Sequence, residues 1–342
     1  MPEILDVFRD DAFSVRSLTA TINQVDHIPS RAGELVFEGL AEGAMSENVA
    51  IERDDESIAL IQSTPRGAPA ERTDRDGRDL IPLTVPHFKT EATIRADQVS
   101  AVRQMGMAQA VQTVQSVVNQ RFRKMQRRHD LTLEHVRLGA LRGIILDADG
   151  STLINLYTAL GLQAPAAINF GLDDNGTDVR LKCMEARRTM TQNAKLAIPS
   201  SAAVWALCGA GFFDKLISHP TTKAAYDGWQ AAERRLGGGY AYDVFYHGNI
   251  FFEDYRGTDD NTTVAITDDE CRLFWTGVPG MYEEWYAPAT YLDEVNTIGL
   301  PRYARQAPDN RFNEAVELQV QMNPLPLCLR PRTLLRGTSQ AD

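Results

Sequence analysis

The sequence predicts an α+β fold, arranged along the chain as an arm, a long hairpin, a long helix and a later mixed domain. Three observations predict it. Residues 34–96 hold short strand-like runs around a polar stretch, and residues 97–142 carry apolar residues at helical spacing. The later chain mixes helical and strand-like segments without a repeating βαβ rhythm. With 342 residues, 43% of them hydrophobic, a core of ordinary size is expected.

The first segment, residues 1–33, contains no long periodic element. Its apolar residues are spaced irregularly between polar ones, and Pro29 and Gly33 then punctuate the chain. We interpret this segment as an N-terminal arm that lies along another surface.

The second segment, residues 34–96, predicts a long hairpin. Strand-like runs at residues 49–52 and 80–87 flank residues 64–79, which are polar, rich in Pro and Gly, and alternate in charge. Such a stretch cannot bury an apolar face of its own. Long loops inside compact domains are usually functional or disordered. A disordered surface loop is therefore the alternative, but strands on both sides favour an ordered excursion.

The third segment, residues 97–195, begins with the strongest helical pattern in the chain. Asp97 can act as its N-cap, and no proline follows until residue 165. The pattern predicts one bent helix or two in succession up to residue 142. The predicted buried stripe consists of Val102, Val114, Val118 and Phe122.

A hairpin is predicted after this helix, because Asp149-Gly150 lies between two strand-like runs. The same residues resemble the first motif of haloacid-dehalogenase phosphatases, in which two aspartates stand two apart, here Asp147 and Asp149. The inserted Ser151 puts the motif out of register, and a long helix precedes it where a doubly wound domain should open. A metal-dependent phosphatase is therefore the alternative of another functional class.

The later chain, residues 196–300 and 301–342, is predicted to be mixed. Its aromatic side chains Trp275, Trp285 and Tyr286 are expected in a core. Helices are predicted from Pro199 to Leu207, Phe212 to Ile217 and Thr222 to Leu236. Strands are predicted from Tyr242 to Phe252, Thr263 to Ile266 and Val316 to Met322.

The net charge and the spacing of cysteine and histidine residues argue against several classes of function. The net charge of −11 argues against a generic DNA-binding protein, although it is compatible with enclosing DNA without gripping it. The four cysteines are at least 25 residues apart, and no two histidines form HExxH, so neither a metal nor a cofactor is expected. No apolar run is long enough for a membrane span, and the acidic N-terminus predicts a protein kept in a cytoplasm.

Several segments resemble the phage major capsid protein E family, a family of lambda-like major capsid proteins. They are Ser63-Thr-Pro-Arg-Gly-Ala-Pro69, Ala96-Asp-Gln-Val-Ser-Ala-Val-Arg-Gln-Met-Gly106, and Leu138-Gly-Ala-Leu-Arg-Gly143 followed by the Asp-Ala-Asp-Gly hairpin. The order of these segments makes the match specific.

The resemblance implies a Hong Kong 97-type capsid fold with an N-terminal arm (1–33), an extended loop (34–96), a peripheral domain with a spine helix (97–195), an axial domain (196–300) and a C-terminal extended segment (301–342). It implies self-assembly into hexamers and pentamers around double-stranded DNA, without sequence-specific binding, in a virion assembled in the host cytoplasm. Scaffolding, portal and decoration proteins are the implied partners. The loop residues expected to contact a neighbouring subunit are Arg66, Arg72, Asp74, Arg75, Asp76, Arg78 and Asp79. An encapsulin-like nanocompartment of the same fold is the runner-up.

Overall fold

The computed structural model describes six stretches of the chain, and every structural statement below concerns these residues. They are residues 31–54, 78–95, 107–236, 244–258, 264–308 and 315–340.

The first two stretches form a short π-helical turn and four strands. The turn is followed by β1 and β2, and β3 and β4 come next along the described chain. Their bounds are Gly33–Phe37 for the turn, Ala41–Gly43 for β1, Asn48–Asp54 for β2, Arg78–Thr84 for β3 and Phe88–Arg95 for β4.

The third stretch contains all five α-helices of the described chain. The helices are α1 (Met107–Arg142), α2 (Leu156–Ala159), α3 (Val179–Ala194), α4 (Ala210–Ser218) and α5 (Pro220–Leu236), and the strands between them are β5 (Ile144–Leu146), β6 (Thr152–Asn155), β7 (Ile168–Asn169) and β8 (Ala203–Cys208).

The remaining stretches are mostly extended. They contain β9 (Val244–His247), β10 (Ile250–Asp254), β11 (Glu270–Thr276), β12 (Tyr282–Tyr286), β13 (Tyr303–Pro308), β14 (Ala315–Met322), β15 (Pro324–Cys328), a 3-10 turn (Pro331–Thr333) and β16 (Leu335–Thr338).

A six-stranded mixed sheet forms the larger body, in the order β7-β16-β11-β8-β10-β9. Strands β8 and β10 are parallel, whereas β11 runs antiparallel to β8. Aromatic side chains of the sheet and of α4 pack together at its centre, as in the contacts of Phe212 with Phe170 and Phe252. Burial of these apolar side chains thus stabilises the packing of α4 on the sheet.

The long helix α1 joins this body to a second, smaller core. The helix has 36 residues, which corresponds to about 54 Å. Its residues from Val117 to Met125 pack on the sheet β13-β14-β4, and its residues from Val136 to Leu141 pack in the main core. It ends at Arg142, and the next residue is Gly143. A larger side chain is disfavoured there, because the φ of Gly143 is +79° and an added Cβ would lie 2.5 Å from the Tyr157 ring.

Local signals correctly predicted several elements. The helical pattern up to residue 142 is one continuous helix over its described part, and Asp149-Gly150 lies in the turn between the antiparallel strands β5 and β6. The charged run from Thr177 to Gln192 also predicts a helix, and α3 forms there. Asp178 caps it by accepting the backbone N–H groups of Arg180 and Leu181.

The predicted helix from Pro199 to Leu207 is wrong. Residues 203–208 form β8, which lies between β11 and β10 in the middle of the six-stranded sheet. Because a central strand is covered on both faces, its sequence is a continuous apolar run, and periodicity cannot distinguish such a run from a buried helix. The predicted strand from Thr263 to Ile266 is also wrong for its described part, since residues 264–266 form no strand.

The aromatic side chains are divided between two sheets. Trp275 is buried on β11 of the six-stranded sheet. Tyr286 is also buried, but it lies with the half-buried Trp285 on β12, in the separate sheet β1-β12-β15. Trp275 nevertheless lies in the main core and Trp285 packs against that core, whereas Tyr286 is buried outside it.

Candidate functional site

The base of the predicted long hairpin is a two-stranded ladder that no other described strand joins. Val49 and Leu83 are register partners near its base, and both are buried in the main core. Leu80, further out, is 64% exposed. A two-stranded hairpin is marginally stable in water on its own. The outer part of this ladder is thus a surface that another chain could stabilise.

Most of the predicted contact residues of this loop lie outside the described residues: Arg66, Arg72, Asp74, Arg75 and Asp76. The last two, Arg78 and Asp79, are the first residues of β3. The ladder register pairs Arg78 with Asp54 and Asp79 with Arg53.

The predicted buried stripe of the long helix is described in part. Val118 and Phe122 are 0% and 5% exposed, and both belong to the smaller core. Val102 lies outside the described residues. Val114 lies in α1, and its side-chain environment is likewise outside the described part.

Two ion pairs, one buried and one partly buried, fix the orientation of α1 and of the chain's first described residues. Arg137 of α1 donates two hydrogen bonds, of 2.7 and 2.8 Å, to the Glu284 carboxylate on β12. Arg31 binds Glu253 of β10 in the same two-pronged way, at 2.5 and 2.7 Å. These residues are far apart in sequence, and periodicity gives no signal for either pair. Such planar, charge-assisted pairs hold the two segments in a defined orientation and also contribute to stability.

Glu134 provides a third link in this region. One of its carboxylate oxygens accepts the backbone N–H of Ala32 at 3.0 Å and the Tyr255 hydroxyl at 2.9 Å. The chain entering from the N-terminal side is therefore tied to both α1 and the six-stranded sheet.

His129 is buried between α1 and the sheet β13-β14-β4. Its Nε2 lies 2.9 Å from the Thr90 hydroxyl, and the ring is 2% exposed. Burial, with the nearby Arg302 and Arg128, lowers the pKa of His129 to about 4. The imidazole is thus neutral in the folded chain at neutral pH.

We expect this histidine to make the subunit less stable in acid. Protonation favours the unfolded chain, where the pKa is near 6.5, so the loss begins as pH falls below about 6.5 and is complete near pH 4. The loss in free energy of unfolding should approach about 3 kcal/mol. Urea unfolding of His129→Gln and the unchanged protein, at pH 8 and pH 4.5, measures it. At pH 8 the difference between the two proteins reports only the packing effect of the substitution. The same difference at pH 4.5 would show that protonation of His129 does not destabilise the subunit.

A basic groove lies between α3 and the turn joining β9 and β10. Its volume is about 780 Å³. Arg180, Arg187 and Arg188 contribute guanidinium groups, while Met184 and Tyr246, each 38% exposed, contribute apolar surface. Arg187 is also held over the Trp275 ring at 5.9 Å. We call this feature the α3 groove. The charged run on α3 was visible in the sequence, but the turn that completes the groove was not.

Asp147 and Asp149 lie in the turn between β5 and β6. Hydrogen bonds from the Ser151 side chain and from the Ser151 backbone N–H, the latter at 2.8 Å, lower the pKa of Asp149. The Asp147 carboxylate accepts the backbone N–H of Ala148. The strands on either side are an antiparallel two-stranded pair. The phosphatase motif instead follows a strand of a parallel sheet, so this geometry favours a turn-forming role.

Among the described residues, no three potential metal ligands of the His, Cys, Asp or Glu type cluster together. All four cysteines are buried free thiols, and burial raises the pKa of Cys183 and Cys328 to about 12. No described helix combines the length and apolar character that crossing a membrane requires.

Comparisons with known proteins point in one direction. The family model described as phage major capsid protein E matches residues 14–339. The major capsid protein of Salmonella phage Felix O1 is 25% identical, over 91% of this chain and 93% of its own length. That of Pseudomonas phage KPP10 is 26% identical, over 85% and 87% respectively. The crystal structure of the putative capsid protein of a prophage from E. coli CFT073 superposes with a TM-score of 0.58 at 15% identity, covering 96% of this chain and 99% of that chain.

Proposed function

The chain belongs to the phage major capsid protein E family, and we propose that it assembles into the hexamers and pentamers of an icosahedral shell around the double-stranded DNA of a tailed phage. The family match carries the capsid role, because it extends over residues 14–339, nearly the whole chain. The chain is accordingly a major capsid protein of a phage or prophage, with a structural role in the virion. The fold is the one predicted from the sequence.

The described geometry supports assembly as the way this role is performed. The β2–β3 ladder has no partner strand among the described residues, and its outer face exposes Leu80. A further apolar surface follows β12, where Leu292, Val295 and Ile298 are 96%, 58% and 59% exposed. Exposed apolar patches of this kind mark interaction sites. Repeated contacts of modest strength can then close a symmetric shell.

Further partners follow from the proposed role rather than from any described contact. A scaffolding protein and a portal would guide closure, and a decoration protein could bind the finished shell. The net charge of −11 suits a shell wall that encloses DNA without adhering to it. Assembly would take place in the host cytoplasm.

Electron microscopy of the purified protein tests the proposal directly. We expect capsomers or closed particles, with the phage's own scaffolding factors supplied if needed. A chain that stays monomeric at every concentration and salt, even with those factors, would exclude shell formation.

Deleting residues 66–77 should leave a folded subunit that does not form closed shells. The deletion keeps β2 and β3 whole, so folding is preserved, but it removes most of the charged tip proposed to reach a neighbour. Circular dichroism measures folding, and negative-stain microscopy counts closed particles.

A matched variant replaces the same residues with a Gly/Ser segment of equal length. If the charges make the contact, this variant should fail as the deletion does. Normal shells from the deletion variant would show that the tip makes no essential contact.

A further inference from the structure

The arginines of the α3 groove lack a carboxylate partner in the described part of the chain. No ion pair links Arg180, Arg187 or Arg188 to a described acid, and the neighbouring Lys182 and Glu185 pair with each other at 3.3 Å. Asp178 lies close by, but its carboxylate caps α3. In a chain of net charge −11, three cations without an ion pair to a described residue, beside exposed apolar surface, suit an acidic partner.

An acidic surface lies at the opposite end of the same sheet. Asp268 and Asp269 precede β11, whose Cys271 is the register partner of Cys208 at the carboxyl-terminal end of β8. Asp173 lies near Asp269, because Lys215 forms ion pairs with both, at 2.8 Å to Asp269 and 3.4 Å to Asp173.

We call Asp173, Asp174, Asp268 and Asp269 the acidic end. Lys215 neutralises only one of its four charges. The α3 groove instead includes the β9–β10 turn, which lies at the amino-terminal end of β10. That strand has five residues, so about 15 Å separates the two ends along the sheet.

We propose that the acidic end of one subunit docks in the α3 groove of the next subunit within a capsomer. Each subunit then uses both surfaces once, in a head-to-tail contact, and such heterologous contacts close into rings. The contact would also offset part of the repulsion between subunits that each carry −11. The inference rests on the proposed function, since it specifies one interface of that assembly.

A second copy suits the groove because its acidic end carries the opposite charge and is already ordered. The acidic end is held in place by the Lys215 bonds, and the Asp269 carboxylate also accepts the Ser339 hydroxyl at 3.1 Å. An ordered acidic surface loses little freedom on docking. The competing occupants are the chain's own acidic N-terminal residues and the enclosed DNA, and the test separates them.

The test is a charge exchange between the two surfaces. Arg188→Glu reverses one charge in the groove, and Asp268→Arg reverses one at the acidic end, where only the Asp268 main chain makes a hydrogen bond. Each single variant should raise the protein concentration at which assembly begins by about tenfold, because like charges then meet. The double variant Arg188→Glu/Asp268→Arg restores opposite charges and should return to within about threefold of the unchanged protein.

Light scattering gives the assembly threshold, and thermal unfolding confirms that each variant is folded. Arg332→Glu is the control, since it makes the same charge change at an exposed position outside the groove. Failure of Arg188→Glu alone, with normal assembly of Asp268→Arg, would assign the groove to another acid and overturn the proposal. Loss of DNA content without loss of assembly would also overturn it, as would singly impaired variants that the double variant does not rescue. If the unchanged protein never assembles, the proposed function itself fails.

Discussion

Replacing Glu284 with alanine should lower the free energy of unfolding of the subunit by about 3–5 kcal/mol. Its carboxylate is 0% exposed and accepts two hydrogen bonds from Arg137, whose side chain is 9% exposed. The substitution would leave the guanidinium as a buried charge without its main partner. Urea unfolding of dilute, unassembled subunits measures the loss.

Two variants make this test specific. Glu185→Ala removes an exposed partner of Lys182 on α3 and should cost less than about 1 kcal/mol. Arg137→Met combined with Glu284→Leu removes both buried charges and should recover most of the stability lost in Glu284→Ala. A loss under about 1 kcal/mol for Glu284→Ala would show that the pair is not buried in the folded subunit.

Elements with a long or strong local signal were predictable from the sequence. The helix α1 repeats its apolar stripe over many turns without proline, and Asp149-Gly150 specifies a tight turn by itself. By contrast, β8 was mistaken for a helix because its position between β11 and β10 covers both faces. Its alternation is lost for a reason that only the tertiary arrangement reveals.

The candidate sites show the same dependence on tertiary structure. Arg137 and Glu284 are 147 positions apart, and the α3 groove joins Arg180 and Arg188 to a turn more than fifty positions away. The sequence displays such charges but not the partners that give them a role. The strand β4 was also not predicted, because its pairing with β14 joins residues from opposite parts of the chain.

Replacing Phe122 with alanine should cost about 3–5 kcal/mol of folding free energy, a cost typical of emptying a buried aromatic site. The Phe122 ring is 5% exposed and packs in the smaller core with Val118, Met125 and residues of β4 and β14. This core is small, so it has few other side chains to close the cavity. The expected loss is measured by urea unfolding of unassembled subunits.

Leu131→Ala is the matched control, because Leu131 lies on the same helix but is 36% exposed. It removes a similar apolar volume and should cost clearly less than Phe122→Ala. A loss below about 1 kcal/mol for Phe122→Ala would mean that the stripe is wrongly assigned. The expected loss has a consequence for assembly, since α1 contributes to both cores. A subunit whose smaller core is loosened should still retain the six-stranded sheet, but would present β4 and β14 to its neighbours in a less defined position.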